Sequence, residues 1–170
     1  MGILDDLLLR VRDVAGGITT GTLIGGVIQN HRDDILELQR EQLLCGKASS
    51  GEDIRPYYSE DLKPSGFFNS VDSAKRYAGW KSTLSYPSFS GQRNPDAPNL
   101  YINGQFHSEL GVQFSLVSVA VVPETNYAAT IVSKYGIKTF GLMPSRWMRI
   151  FEQYGAYNEL MNEIKSILYV

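Results

Sequence analysis

Cysteine is nearly absent: Cys45 stands alone in 170 residues, which excludes an intramolecular disulfide and a cysteine-rich zinc site. Histidine is almost as scarce, and His31 and His107, distant in sequence, do not supply the missing ligands. A dominant charge is lacking too. Sixteen basic against 18 acidic residues leave a formal net charge of −2, so there is no broad basic field of the kind that grips duplex phosphates nonspecifically. The longest small and apolar stretch, Ala15 to Ile28, is too short and too rich in glycine to span a bilayer by itself. Acids rather than bases precede the first apolar run, the reverse of a secretory leader, and the cysteine usage points to synthesis in a reducing compartment. Also missing are a P-loop, a nucleophile elbow, a metal-binding histidine pair and a glycine-rich phosphate cradle. The expectation is therefore a non-enzyme without cofactor or metal. What is present, 43% hydrophobic and 11% aromatic residues, excludes wholesale disorder and is enough for a real core.

The first 29 residues form the oddest stretch. Leu4, Leu7, Leu8 and Val11 share one helical face, with Asp5 and Asp6 early and Arg10 and Arg12 later, as a helix dipole prefers. Glycine then interrupts at Gly16, Gly17, Gly21, Gly25 and Gly26, lowering helix stability while permitting close backbone approach. Three readings stay open for this stretch: a flexible linker, an arm that orders only on a neighbouring subunit, or a membrane-active segment. Residues 1–29 are thus expected as an arm or linker with a short amphipathic helix, and 30–170 as a single domain with a loop-rich insertion at about 47–98.

From Asn30 the pattern turns helical. Asn30 is a plausible N-cap, Asp33 and Asp34 fall in the first turn, and Gly46 suits the residue after the helix. Ile35, Leu38, Gln42 and Cys45 share one face, where Cys45 reads as a small core or interface residue. His31 reads as a surface or cap-adjacent residue. Ser70 can cap a second helix to about Leu84, with Val71, Ala74, Tyr77, Ala78 and Lys81 at helical spacing. Lys75, Arg76 and Lys81 make it locally basic, either as a solvated face or as a contact to an acidic partner or DNA phosphates. Alternation at Val112, Phe114 and Leu116 and the β-branched run Ser118 to Val122 predict two strands. Tyr127 to Tyr135 has helical or mixed spacing, stopped by Gly136. Tyr157, Leu160, Met161, Ile164, Ile167 and Leu168 predict an amphipathic terminal helix. The expected fold class is α+β, a small antiparallel sheet packed against N-terminal and C-terminal helices, with long mid-chain loops. Its core is expected on the sheet of residues 99–122 and the terminal helix.

The order of elements from residue 99 onward carries a resemblance. A glycine before an apolar residue in Asn103-Gly104-Gln105-Phe106 leads to the strand pair. Tyr127-Ala128, Lys134-Tyr135-Gly136 and Phe140-Gly141-Leu142 follow, and a helix ending in Glu163-Ile164-Lys165-Ser166-Ile167-Leu168 closes the chain. This resembles the tail-completion and virion-morphogenesis proteins of tailed phages, which join the portal to the tail. The likeness covers residues 99–170. The Pro-Ala-Arg step of that family stands here only as Met143-Pro144-Ser145-Arg146, and residues 52–98 have no counterpart in its compact members. With Asp53-Ile54-Arg55-Pro56-Tyr57-Tyr58, the long insert looks more like the ring proteins of crAss-like phages.

The resemblance implies a homo-oligomeric ring in the virion neck, assembled in the host cytoplasm. Its partners would be further copies of itself, the portal and other neck or tail rings, with double-stranded DNA passing transiently and no stable membrane span. It places contacts to neighbours at Leu4, Leu8, Ile18, Leu23 and Ile24 of the arm. Further contacts come from Tyr57, Tyr58, Phe67, Phe68, Tyr86 and Phe89 of the aromatic loops, where flat rings give contact area at low entropy cost. Two other readings stand beside it. One is a membrane- or partner-binding module using Ile18 to Ile28. The other is a small hydrolase in which His107 and Glu109, two apart on a strand, form an acid–base pair.

Overall fold

The computed structural model describes residues 3–54, 68–89, 91–94, 97–115 and 118–169. In chain order these hold α1 (Ile3–Thr19), α2 (Thr22–Asn30), α3 (Arg32–Leu44), α4 (Val71–Ser82), α5 (Gln105–Ser108), β1 (Leu110–Phe114), β2 (Val119–Pro123), α6 (Ala128–Tyr135), α7 (Pro144–Glu152) and α8 (Ala156–Leu168). The class is α+β: eight α-helices among the described residues with one small antiparallel pair of strands, β1 and β2. The chain makes two compact units. The first comprises the described residues of Met1–Ile35, Val112–Ala120 and Ser145–Val170, and the second those of Leu36–Gly111 and Val121–Pro144.

In the first unit, α1 packs on α2 and α8, and α2 packs on α8. The stretch expected as arm or linker is thus helical on both sides of Gly21, where a φ of 75° turns the chain. The physical reason is close approach rather than freedom. A Cβ on Gly17 would sit 2.7 Å from Leu23 Cγ, so the bare glycine lets the two helices close. Packing against α8 then offsets the low helix propensity of glycine. Asp5 and Asp6 occupy the first turn of α1, and Arg10 Nε donates to Asp6 Oδ2 at 2.9 Å. Val27 and Ile28 of α2 are buried. His31 is buried as well, rather than at the surface. Its Nδ1 lies 2.8 Å from Asp34 Oδ2 and its Nε2 lies 3.3 Å from Glu159 Oε1, while Asn30 Nδ2 donates to Glu159 Oε2 at 3.2 Å. The terminal helix contributes less to a core than its pattern predicts: Ala156 is buried, whereas Leu160, Met161, Ile164, Ile167 and Leu168 are half-buried.

The core of the second unit lies on α3. Leu36, Leu38, Leu43 and Leu44 are buried there, and so are Gln39 and Gln42. Both glutamines hold the extended segment that follows residue 140. Gln39 Oε1 accepts from the Gly141 N–H at 2.8 Å, Gln42 Nε2 donates to the Gly141 carbonyl at 2.9 Å, and Gln42 Oε1 accepts from the Met143 N–H at 2.9 Å. Helix α3 ends as its glycine predicts. The Gly46 N–H reaches the Leu43 carbonyl at 2.8 Å and the Lys47 N–H the Gln42 carbonyl at 3.0 Å, with Gly46 at φ 72°. A Cβ there would meet Ala97 Cβ at 2.6 Å. Gly46→Ala is therefore expected to lower the unfolding free energy by roughly 1–3 kcal/mol in urea titrations, from left-handed strain plus the clash. An unchanged midpoint would show that the helix end can unwind without cost.

Ser70 caps α4 reciprocally with Ser73: each backbone N–H reaches the other's hydroxyl at 3.2 Å. A strand is not what carries His107. Gly104, at φ 87°, starts the four-residue helix α5, so His107 lies in a helical turn and Glu109 follows it, accepting from Gln105 Nε2 at 2.8 Å. The two side chains do not share a strand face, and the acid–base pair of the hydrolase alternative is not formed. The strands begin at Leu110 and Val119, and α6 stops at Gly136.

Candidate functional site

Helix α1 is seated with its less apolar side inward. Asp6, Arg10, Val14 and Gly17, spaced by four, four and three residues, are half-buried, and the described side chains of α1 include no fully buried one. Leu4, Leu7, Leu8, Val11 and Ile18 face solvent, with Leu4 69% and Leu8 60% exposed. Leu4, Leu7, Leu8 and Val11 lie three and four residues apart on one helical face, with Ile18 two turns further on. Over 17 residues the stripe runs about 25 Å at 1.5 Å per residue. Its exposed apolar area is on the order of 500 Å2, the size of the largest apolar patch on an ordinary monomer, which is often a functional one. Three aspartates against two arginines give α1 no basic face for an anionic lipid surface. Among the described residues no helix is long and apolar enough to cross a membrane.

The second unit contains a cleft of about 400 Å3 with Tyr77 and Lys81 of α4, Leu100, Phe106, Ile131 and Tyr135 in its lining. Lys81, one helical turn after Tyr77, is only 3% exposed. Burial, with Arg93 adding to it, brings its pKa down from the ordinary lysine value to about 8. Its Nζ stands 5.7 Å from the centre of the Tyr86 ring, and Arg93 Cζ lies 4.6 Å from the same ring. Among the described residues Lys81 has no carboxylate partner. Leu100 holds a φ of 54°. The turn that carries it is pinned from two sides. Asn99 Oδ1 accepts from the Tyr101 N–H at 3.1 Å, and His107 Nε2–H donates to the Asn99 carbonyl at 2.8 Å. Arg40 Nε in turn donates to the His107 carbonyl at 2.7 Å. Burial holds His107 neutral and drops its pKa to about 4; the Asn99 bond pulls the other way, and Arg40 and Lys81 reinforce the drop. His107 therefore positions the cleft wall.

The residues expected at an interface divide. Leu4, Leu8, Ile18 and Ile24 are exposed on α1 and α2, and Leu23 is half-buried against Gly17. Phe68 and Tyr86, both half-buried, make contacts inside the second unit. Phe68 stacks 5.3 Å from Tyr77 with Lys134 Nζ 4.8 Å from its centre, and Tyr86 lies 5.3 Å from Tyr101 and donates its hydroxyl to the Lys81 carbonyl at 2.7 Å. Phe89 is half-buried, and Tyr57, Tyr58 and Phe67 lie outside the described residues. The charge of Lys81 suggests a solvated face, whereas its register with Ala74, Tyr77 and Ala78 puts it on the apolar side of α4, where it is buried. Comparison of the chain with protein-family models, with curated proteins and with solved structures returned no match.

Proposed function

We propose that the chain is a virion structural protein of a tailed phage, forming a homo-oligomeric ring at the portal–tail junction and working by assembly rather than by chemistry. The seating of α1 carries this reading. A helix that turns Leu4, Leu8, Val11 and Ile18 to water while resting on Asp6 and Arg10 is costly in an isolated chain and useful when a neighbour covers it. A head-to-tail ring needs two different complementary surfaces on each copy. The α1 stripe supplies one, and Met148 and Tyr157, exposed on α7 and α8 of the same unit, belong to a second. Two copies covering the stripe would bury about 1,000 Å2, the lower bound for a specific interface. The strand pair, the Gly136 stop and the closing helix α8 follow one another in the order the resemblance rests on, which supports the reading. A net charge of −2 suits a ring that lets DNA through without holding it.

Mass photometry of the full chain, alone and mixed with the portal protein of the same virion, tests this. A ring is expected in at least one condition. Leu8→Glu combined with Val11→Glu is expected to leave a folded monomer, weakening assembly by at least about 100-fold because two charges would be buried without partners. A wild-type monomer in both conditions overturns the proposal. Flotation of the chain with lipid vesicles, lost on deleting residues 1–29, would instead favour the membrane-binding alternative.

A further inference from the structure

The cleft of the second unit holds a cation that nothing among the described residues neutralises. Lys81 as a residue is buried, it lines the cavity, and among the described residues no carboxylate pairs with it. The charges nearest to it are of its own sign: Arg93 stands beside it on the Tyr86 ring, and Arg40 lies behind His107. The lining adds no acid and no second cation, only neutral polar groups on Asn103, Gln105, Thr130 and the three tyrosines Tyr77, Tyr127 and Tyr135 among apolar side chains.

We propose that this cleft binds a small apolar monocarboxylate, its carboxylate on the Lys81 ammonium and its alkyl or aryl body against Tyr77, Leu100, Phe106, Ile131 and Tyr135. The inference stands apart from the ring reading and does not rest on it. A single buried cation matches a single negative charge. A phosphate monoester would bring up to two negative charges to a lining that holds one cation, and a neutral ligand would leave the ammonium without a counter-charge. The volume of about 400 Å3 lies in the range of small-molecule sites, with room for roughly ten to fifteen non-hydrogen atoms. The wall is also built rather than incidental. Leu100 is held in a left-handed conformation by the Asn99 turn, and His107 and Arg40 fix that turn from behind.

Calorimetric titration of the full chain with 2-naphthoate and with its neutral primary amide is the test. The acid is expected to bind with a Kd of about 10–100 µM and the amide at least about tenfold more weakly, the usual advantage of a charge-assisted hydrogen bond. Lys81→Met is expected to reduce the acid to the level of the amide, and Ile131→Trp, which fills the cleft with Lys81 in place, to abolish both. At pH 8.5, titrations in two buffers of different ionisation heat should show proton uptake with the acid and none with the amide, because the bound carboxylate draws a proton back onto Lys81. If Lys81→Met does not fold, the acid-over-amide preference and the proton uptake of the unaltered chain decide. Equal binding of acid and amide, undiminished acid binding in Lys81→Met, or no binding of either at millimolar concentration would overturn the proposal.

Discussion

Gln42→Ala is expected to lower the unfolding free energy by about 3–4 kcal/mol in urea titrations. The side chain is fully buried on α3 and makes both of its amide hydrogen bonds to main chain 99 and 101 residues away in sequence. Truncation leaves the Gly141 carbonyl and the Met143 N–H without partners in a dry interior, at about 1–3 kcal/mol for each orphaned group, and opens a cavity besides. Gln42→Leu separates the two contributions, since it refills most of the volume and restores neither bond; it should retain more than half of the loss. Exposed Glu37 on the same helix serves as a control, with Glu37→Ala expected within about 0.5 kcal/mol of wild type. A loss below 1 kcal/mol for Gln42→Ala would mean that water reaches the 141–143 segment, and the account of the α3 core would fail with it.

The second large effect is a stability maximum displaced to alkaline pH. His107 takes a proton near 4 in the folded chain against 6.5 in the unfolded one, so below pH 6.5 the unfolded state binds more protons and stability falls, levelling off near pH 4. The whole step is on the order of 3 kcal/mol. Burial lowers Lys81 and Lys134 to about 8, and between that pH and 10.5 the unfolded chain again holds the extra protons, so stability rises as pH increases. Above pH 10 the direction reverses. Burial raises the tyrosines Tyr77, Tyr127 and Tyr135, and the folded chain then keeps protons that the unfolded one sheds. Urea midpoints measured from pH 4 to 11 should therefore climb from 4 to about 6.5, climb again above 8 and peak between about 9 and 10. His107→Gln, which still offers a donor to the Asn99 carbonyl, should flatten the acid limb alone. A midpoint indifferent to pH between 4 and 7 would rule out a neutral, buried His107.

Local signals were legible where local physics decides. The spacing of Ile35, Leu38 and Gln42 and the glycine at position 46 mark α3 and its end, Ser70 marks the start of α4, and Gly136 marks the stop of α6. What was not legible depends on partners far along the chain. Glycine at position 17 reads as freedom until Leu23 is seen against it. Helix α5 is four residues long and held by Asn99 and Arg40, so no periodicity announces it, and a strand is the reasonable but wrong expectation for His107. Gln42 falls on the face of Ile35 and Leu38, but why a glutamine stands there, and why Gln39 is buried, is explained only by the main chain at Gly141 and Met143. The apolar stripe of α1 is visible in sequence. Its outward orientation is not, since that follows from which side α8 takes.

That last contact has a consequence during synthesis. Helix α1 leans on α8, and more than a hundred residues are translated between them. At the usual elongation rates the first helix waits roughly ten seconds for its support. Until then nothing from α8 decides which side of α1 turns inward, and its leucines can face either way.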